Sequence, residues 1–235
     1  MTVLNIETST DACSAAITTE QGVMTDAEGK PLHHLRRCGR EHARELPLMV
    51  EDLLARLNAL GEKSKENSPK LQIEAVAVSE GPGSYTGLRI GASVAKGLAY
   101  GLNVPLMAVP TLQIMATEVS QSVHDGLLCP MIDARRMEVY SAIYTPELKE
   151  VSSVAATVVD EHSFAELLTK NKVYFFGNGA EKCMEVLKSE NAVFVKDIVP
   201  DARWMQGGRV VDTAYWEPFY LKAYEAKKST NLIHR

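Results

Sequence analysis

The chain has 235 residues, 46% of them hydrophobic, which is enough for one compact domain or two small lobes around a buried core. Its formal net charge of -5 repels phosphate backbones at long range, so any contact with nucleic acid has to be local or supplied by a partner. Cys13, Cys38, Cys129 and Cys183 form no CxxC or CxxH pair, which sets aside zinc-finger and disulfide-framework classes and reads as reduced thiols. MTVLNIE reaches an acid too soon for a signal-peptide core, and no run has the length of a membrane span, so the expected compartment is the cytoplasm.

In chain order, TVLNIET and ACSAAIT are apolar runs around a Ser/Thr/Asp turn and predict a buried hairpin, with PLHHLRR as a third strand. From Leu46 the apolar positions Met49, Val50, Leu53, Leu54, Leu57 and Leu60 follow at helical spacing, with Pro47 in the first turn and Gly61 past the end. After the polar connector EKSKENSPK, IEAVAVS predicts a strand that runs into EGPGSYTGLRIG. A second helix follows Gly87 and runs to about Tyr100, stopped by Gly101, Asn103 and Pro105. The second half continues with strand LMAV, helix TLQIMATEV, strands LLCPMID and MEVYSAIY, and a long connector. It closes with a helix near FAELL, strand VYFF, loop GNGA and a further helix. Strands alternating with helices give an α/β class. LNIETSTDACSAAI and PMIDARRMEVYSAI echo each other: each is a strand ending in an acid (Glu7, Asp133), a polar turn and a returning strand, as a protein of two similar lobes requires. The terminal AKKSTNLIHR reads as solvated.

EGPGSYTGLRIG fails both phosphate-loop templates. The nucleotide-hydrolase loop needs Lys and Ser/Thr after its last glycine, and here Leu88 and Arg89 follow Gly87. The dinucleotide fingerprint is one residue out of register. What remains is a tight strand-to-helix turn whose free N–H groups are able to attract an anion. Gly87, Gly91, Ala95 and Ala99 recur every fourth residue, so one stripe of the helix admits close approach of another backbone, either inside the chain or across a subunit interface.

Other constellations are weaker. Thr8, Ser9 and Thr10 lie beside Glu7, but no His–Asp pair is identifiable to activate a nucleophile. Taken singly, Glu7 and Asp133 are equally suited to capping a turn. The six histidines include no HxxxH, and His33 and His34 point to opposite faces of a strand, so no metal site is expected. HHLRRCGREHAR reads as a solvated edge rather than a nucleic-acid contact, having no interleaved aromatics. Arg135 and Arg136 are either an anion or partner contact or plain turn surface. Tyr215, Trp216, Phe219 and Tyr220 read as an anchor returning the C-terminus onto the body.

LNIETSTDACSAAI, SEGPGSYTGLRIGASVAKGLA, VPTL, DARRMEVYSAIY, FFGNGA and EPFYLK, in this order, resemble the bacterial tRNA threonylcarbamoyladenosine biosynthesis family TsaB, or YeaZ. The arginine of TGLRIG, Arg89, separates it from the paralogue TsaD. The resemblance implies a two-lobed α/β fold of the actin-like, sugar-kinase and heat-shock ATPase (ASKHA) kind, each lobe a mixed sheet flanked by helices. The expected lobes are 1–104, with 212–235 returning to it, and 105–211.

On that resemblance, Glu7, Thr8, Ser9 and Asp133 belong to vestigial phosphate loops, and Gly177 and Gly179 to the remnant of an adenosine loop. Gly87, Arg89, Gly91, Ala95 and Ala99 are subunit-interface candidates. The family's pathway transfers a threonylcarbamoyl group from its adenylate to N6 of the adenosine beside the anticodon in tRNAs reading ANN codons. TsaD performs the transfer and the ATPase TsaE joins the complex. Where TsaD carries a metal-binding pattern like N-H-L-E-G-H, this chain has Pro110, Thr111, Leu112, Gln113, Ile114 and Met115, so Thr111 and Met115 replace two histidines. The implied role is a non-catalytic scaffold, homodimeric when alone, without a tightly bound cofactor or metal, and with ATP or ADP at the partner interface. tRNA is reached through the complex, and no membrane is involved. The competing reading is an independent nucleotide-dependent enzyme using Glu7, Thr8 and Asp133. Residues 145–175 carry no interpretable motif.

Overall fold

The computed structural model describes residues 1–63 and 71–222; most of the polar connector and the terminal AKKSTNLIHR lie outside them. The elements in chain order are β1 (Val3–Glu7), β2 (Ala12–Thr19), β3 (Gly22–Val23), β4 (His33–Arg37), α1 (His42–Lys63), β5 (Ala75–Gly81), α2 (Tyr85–Leu102), β6 (Leu106–Pro110) and α3 (Thr111–Ser120). There follow β7 (Leu127–Asp133), β8 (Glu138–Tyr144), β9 (Glu150–Val158), α4 (Ala165–Lys170), β10 (Val173–Phe176), β11 (Ala192–Val195) and β12 (Arg209–Val211). Two 3-10 turns, Glu181–Cys183 and Ala202–Trp204, complete the set.

The strands form two sheets. The first has the order β12-β6-β5-β1-β2-β3, with β4 also on β2; the second runs β11-β10-β7-β8-β9. In each, an antiparallel hairpin (β1 with β2, β7 with β8) is continued by parallel neighbours, β5 and β6 in one, β10 and β11 in the other. The internal echo in the sequence is thus an echo of topology, and the molecule is a two-lobed α/β protein of the actin-like kind.

Alternation along β1 decides what each face of the first sheet buries. Leu4 and Ile6 join Val76 and Val78 under Leu46, Met49, Val50, Leu53 and Leu57 of α1 and Ala92, Ala95 and Ala99 of α2. On the opposite face Ala16, Ala77 and Val109 meet Ile114 of α3 together with Ala202 and Met205. A second core, built on Val173, Phe175, Cys129 and Val139, belongs to the second sheet.

Several boundaries differ from the sequence reading. α1 starts at His42, whose ring nitrogen lies 3.1 Å from Ala12 O, and runs through Gly61, because the apolar period continues to Leu60 and tertiary packing outweighs one glycine. α2 begins at Tyr85, capped by the Ser84 side chain, and passes through Gly101 to end at Asn103, which is left-handed with φ 54. Only a 3-10 turn follows GNGA. β9, inside 145–175, gave no signal, since its residues are exposed on both faces and so lack a half-buried alternation. The division expected at 104/105 runs through the first sheet: β6 and β12 are strands of it, and Ala202 lies against its back face. The reason is local, since LMAV is the parallel neighbour of β5 and cannot leave the sheet its partner belongs to.

Candidate functional site

The β1–β2 turn and the start of α2 form one close-packed unit. Thr8 Oγ1 donates to Gly87 O at 2.8 Å, and the Ser84 amide donates to Ser9 O at 2.6 Å. A Cβ on Gly83 would overlap Ser9 O, one on Gly87 would overlap Thr8 O, and one on Gly91 would overlap Thr8 Oγ1. The glycines are therefore required by the approach of this turn to the helix. Ala95 and Ala99 continue the same stripe into the core beneath α1. This corrects the interface assignment of Gly87, Gly91, Ala95 and Ala99: all four are buried within the chain, and the four-residue spacing serves an internal contact.

Glu7 is fully buried at the end of β1, and its Oε1 accepts the Ser9 amide at 2.5 Å. Burial pushes its carboxyl up to about 7, against the lowering influence of Ser9 and Ser79, and the charge of Asp201 raises it further. Glu7 Oε2, Ser9 Oγ and Ser79 Oγ reach no hydrogen-bond geometry with any partner among the described residues. An acid closed off from solvent, with the adjacent amide already bonded to it, holds the shape of the turn. It is not placed to meet an incoming phosphate or metal.

The second hairpin is arranged differently. Asp133 is exposed at the end of β7; its amide donates to Asn178 Oδ1 at 2.9 Å, its carboxylate accepts the Arg135 amide at 2.9 Å, and Lys182 forms an ion pair with it. Gly177, with φ +100, leaves no room for a side chain against Met131 O and the Met115 methyl, and Gly179 lies against the backbone of Ile132 and Asp133. Asp133, Gly177 and Gly179 thus come together as one cluster and Glu7, Thr8 and Ser9 as another. Among the described residues no hydrogen bond or ion pair joins the two. α3 stands beside both: Thr111 Oγ1 accepts the Gly81 amide at 3.2 Å, and buried Met115 packs on Gly177.

Of the interface candidates only Arg89 faces solvent. Its guanidinium donates to Tyr85 OH at 2.7 Å and lies 5.4 Å from that ring's centroid, while Tyr220 stands 4.8 Å from Tyr85. Beside them an open groove of about 530 Å³ is lined by Ala43, Tyr85, Arg89, Ile90 and Val94. The C-terminal aromatics divide: Trp216 is buried in the first core, whereas Tyr215 is exposed. Sequence reasoning missed Ser79, Asp201, Lys182 and Lys222. Ser79 and Lys222 sit at the ends of quoted motifs and Asp201 and Lys182 in none, and only strand pairing and packing carry them to the hairpins.

Two hairpin-led mixed sheets with helices against them define an actin-like α/β protein whose first hairpin is sealed by a glycine-rich helix. A family model described as TsaD, tRNA N6-adenosine threonylcarbamoyltransferase, matches residues 36–202. The chain is 35% identical over 144 residues to the tRNA threonylcarbamoyladenosine biosynthesis protein TsaB of Escherichia coli K12, covering 61% of this chain and 55% of that protein. Against TsaB of Bacillus subtilis 168 it is 32% identical, with the same coverage. The chain thus spans about half the length of the curated relatives it matches. A solved structure of YeaZ from Pseudomonas aeruginosa superposes with a TM-score of 0.70 at 28% identity, covering 94% of this chain and 99% of that one. The chain belongs to the TsaD family, on its TsaB/YeaZ branch. Among the described residues no helix is long and apolar enough to cross a membrane.

Proposed function

We propose that this protein is a non-catalytic scaffold in tRNA threonylcarbamoyladenosine synthesis, pairing with TsaD in the cytoplasm, with the ATPase TsaE joining the pair. The observation that carries this reading is the fate of the two positions aligned with TsaD's histidine pattern. Thr111 caps the Gly81 amide and Met115 fills space against Gly177, so both are buried in packing roles. Neither a hydroxyl used in this way nor a buried thioether replaces an imidazole on a borderline metal. The surface left for a partner is the outer face of α2, with Tyr85, Arg89, Ile90 and Val94. The same face would hold a second copy when TsaD is absent. No cofactor is held tightly, and ATP or ADP binds only where a partner completes a site.

An equimolar mixture with TsaD from the same organism should give a one-to-one complex by light scattering and should modify an unmodified tRNA transcript, while this protein alone is inert. A mixture with no complex and no stimulation overturns the reading. The alternative, an independent nucleotide-dependent enzyme, needs Glu7 and Thr8 to be accessible, and both are buried and engaged. Calorimetry should detect no ATP binding to the isolated protein in the presence of magnesium.

A further inference from the structure

The chain has two arginine-rich stretches, and their surroundings are opposite. In the first, Arg36 lies 2.7 Å from Glu45, Arg37 4.0 Å from Asp11 and Arg44 3.8 Å from Glu41, so most of its charge is matched locally. In the second, Arg135 and Arg136 stand exposed on the four-residue connection between β7 and β8. The acids of that hairpin are already engaged by other groups: Lys182 pairs with Asp133, and Lys222 meets both oxygens of Glu138 at 2.5 and 2.6 Å. Among the described residues no carboxylate lies within ion-pair distance of either guanidinium. The hairpin tip is therefore an unbalanced double positive charge on a chain whose net charge is -5.

The backbone there is unusual as well. Arg135 has φ 74 and Arg136 has φ 50, two successive left-handed residues with side chains, where glycine would be free of strain. The turn closes through Ala134 N to Glu138 O and Glu138 N to Arg135 O, both at 3.0 Å, and neither bond needs a guanidinium. Strained residues whose side chains do nothing for their own fold are candidates for contact with a ligand.

We propose that Arg135 and Arg136 form a docking point for the phosphodiester backbone of RNA; this rests on the tRNA-modification reading above. Guanidinium forks match phosphate oxygens bidentately. The site is a projecting hairpin tip, whereas sites that enclose a mononucleotide are concave. A polyanion running past a convex tip is the occupant this shape suits. Because the net charge of the chain is negative, the contact orients RNA already brought near by a partner and does not recruit it from a distance.

The test is the affinity of the complex with TsaD for an unmodified tRNA transcript, measured by fluorescence anisotropy as salt is raised, for the natural protein and for R135G/R136G. Loss of two phosphate contacts should lower the slope of log affinity against log salt by about two and weaken binding about ten-fold at the low-salt end, near 50 mM. Thermal unfolding should be unchanged or shifted upward, since glycine relieves both left-handed positions; a merely structural role predicts the reverse. R36A/R37A, whose charges are already matched, should leave the slope nearly unaltered.

An unchanged affinity and slope in R135G/R136G overturns the proposal, and so does an effect confined to ATP binding. If the natural complex does not form, the scaffold reading fails by itself. The same comparison on the isolated chain, at about 25 mM salt where electrostatic contact is strongest, then decides the docking point: equal binding by both proteins overturns it.

Discussion

The two hairpins share a topology and have opposite fates. The β1–β2 hairpin ends in a carboxylate with zero exposure, under a turn whose Thr8 hydroxyl donates to Gly87 O of α2 and whose Ser9 carbonyl accepts from the Ser84 cap. The β7–β8 hairpin ends in a carboxylate open to solvent and paired with Lys182, below two exposed arginines that have no ion pair among the described residues. What separates them is the neighbour each received. Gly83, Gly87 and Gly91, before and within the first turns of α2, let that helix lie on the β1–β2 turn, whereas the second hairpin is met by the short GNGA loop and by Lys182 and Lys222. One hairpin has become packing and the other has remained surface.

The largest test of this contrast is Gly87→Val. Its side chain would overlap Thr8 O, a backbone atom that cannot rotate away, so the loss should be at least about 3 kcal/mol in urea unfolding, or failure to fold. An intact, stable variant would show that the turn is not clamped. Gly91→Ala should cost less, about 1–2 kcal/mol, because Thr8 Oγ1 can turn aside at the expense of its bond to Gly87 O.

Comparable to the first of these is the pH dependence set by Glu7. Its folded carboxyl is pushed to about 7 from 4.5 by burial, so the folded state holds the proton more tightly than the unfolded chain. The stability contributed by this group is complete below about 4.5 and lost as pH rises through 7, in total about 3 kcal/mol. Glu7→Gln should match the natural protein near the acidic end and exceed it by that order at pH 8. Equal curves at both ends would mean that the acid is charged in place and paired.

The exposed hairpin should respond weakly. Arg135→Gly should raise stability by about 1 kcal/mol by removing one left-handed side chain. Lys222→Ala should cost under about 1 kcal/mol, as its pair with Glu138 is half in solvent. Urea denaturation of these two alongside Gly87→Val would rank the two hairpins directly.

Much of the architecture was legible because strands buried on both faces read as apolar runs: β1, β2, β5, β7 and β8 all carried one. β9, exposed on both faces, did not, and β12 is too short to show a period. The glycine stripe revealed that something approaches α2 closely but not what, since spacing fixes a face and not its occupant. Only the Thr8 contacts decide that. Glu7 was recognisable as a strand-ending acid, but its electrostatic surroundings include Ser79 and Asp201, which lie 72 and 194 residues away along the chain. No local pattern could have supplied them.

One strap of chain has a consequence for the order of synthesis. β12 lines the edge of the first sheet, Trp216 fills its core, and the Phe219 amide donates to Glu80 O at 2.6 Å, with Phe219 O against the Cα side of Gly81. The sheet that leaves the ribosome first is closed by a segment that begins 99 residues after the end of β6, its neighbour on that edge. Until then the β6 edge and the glycine turn stay uncovered, so an unpaired strand edge persists through synthesis of the second sheet.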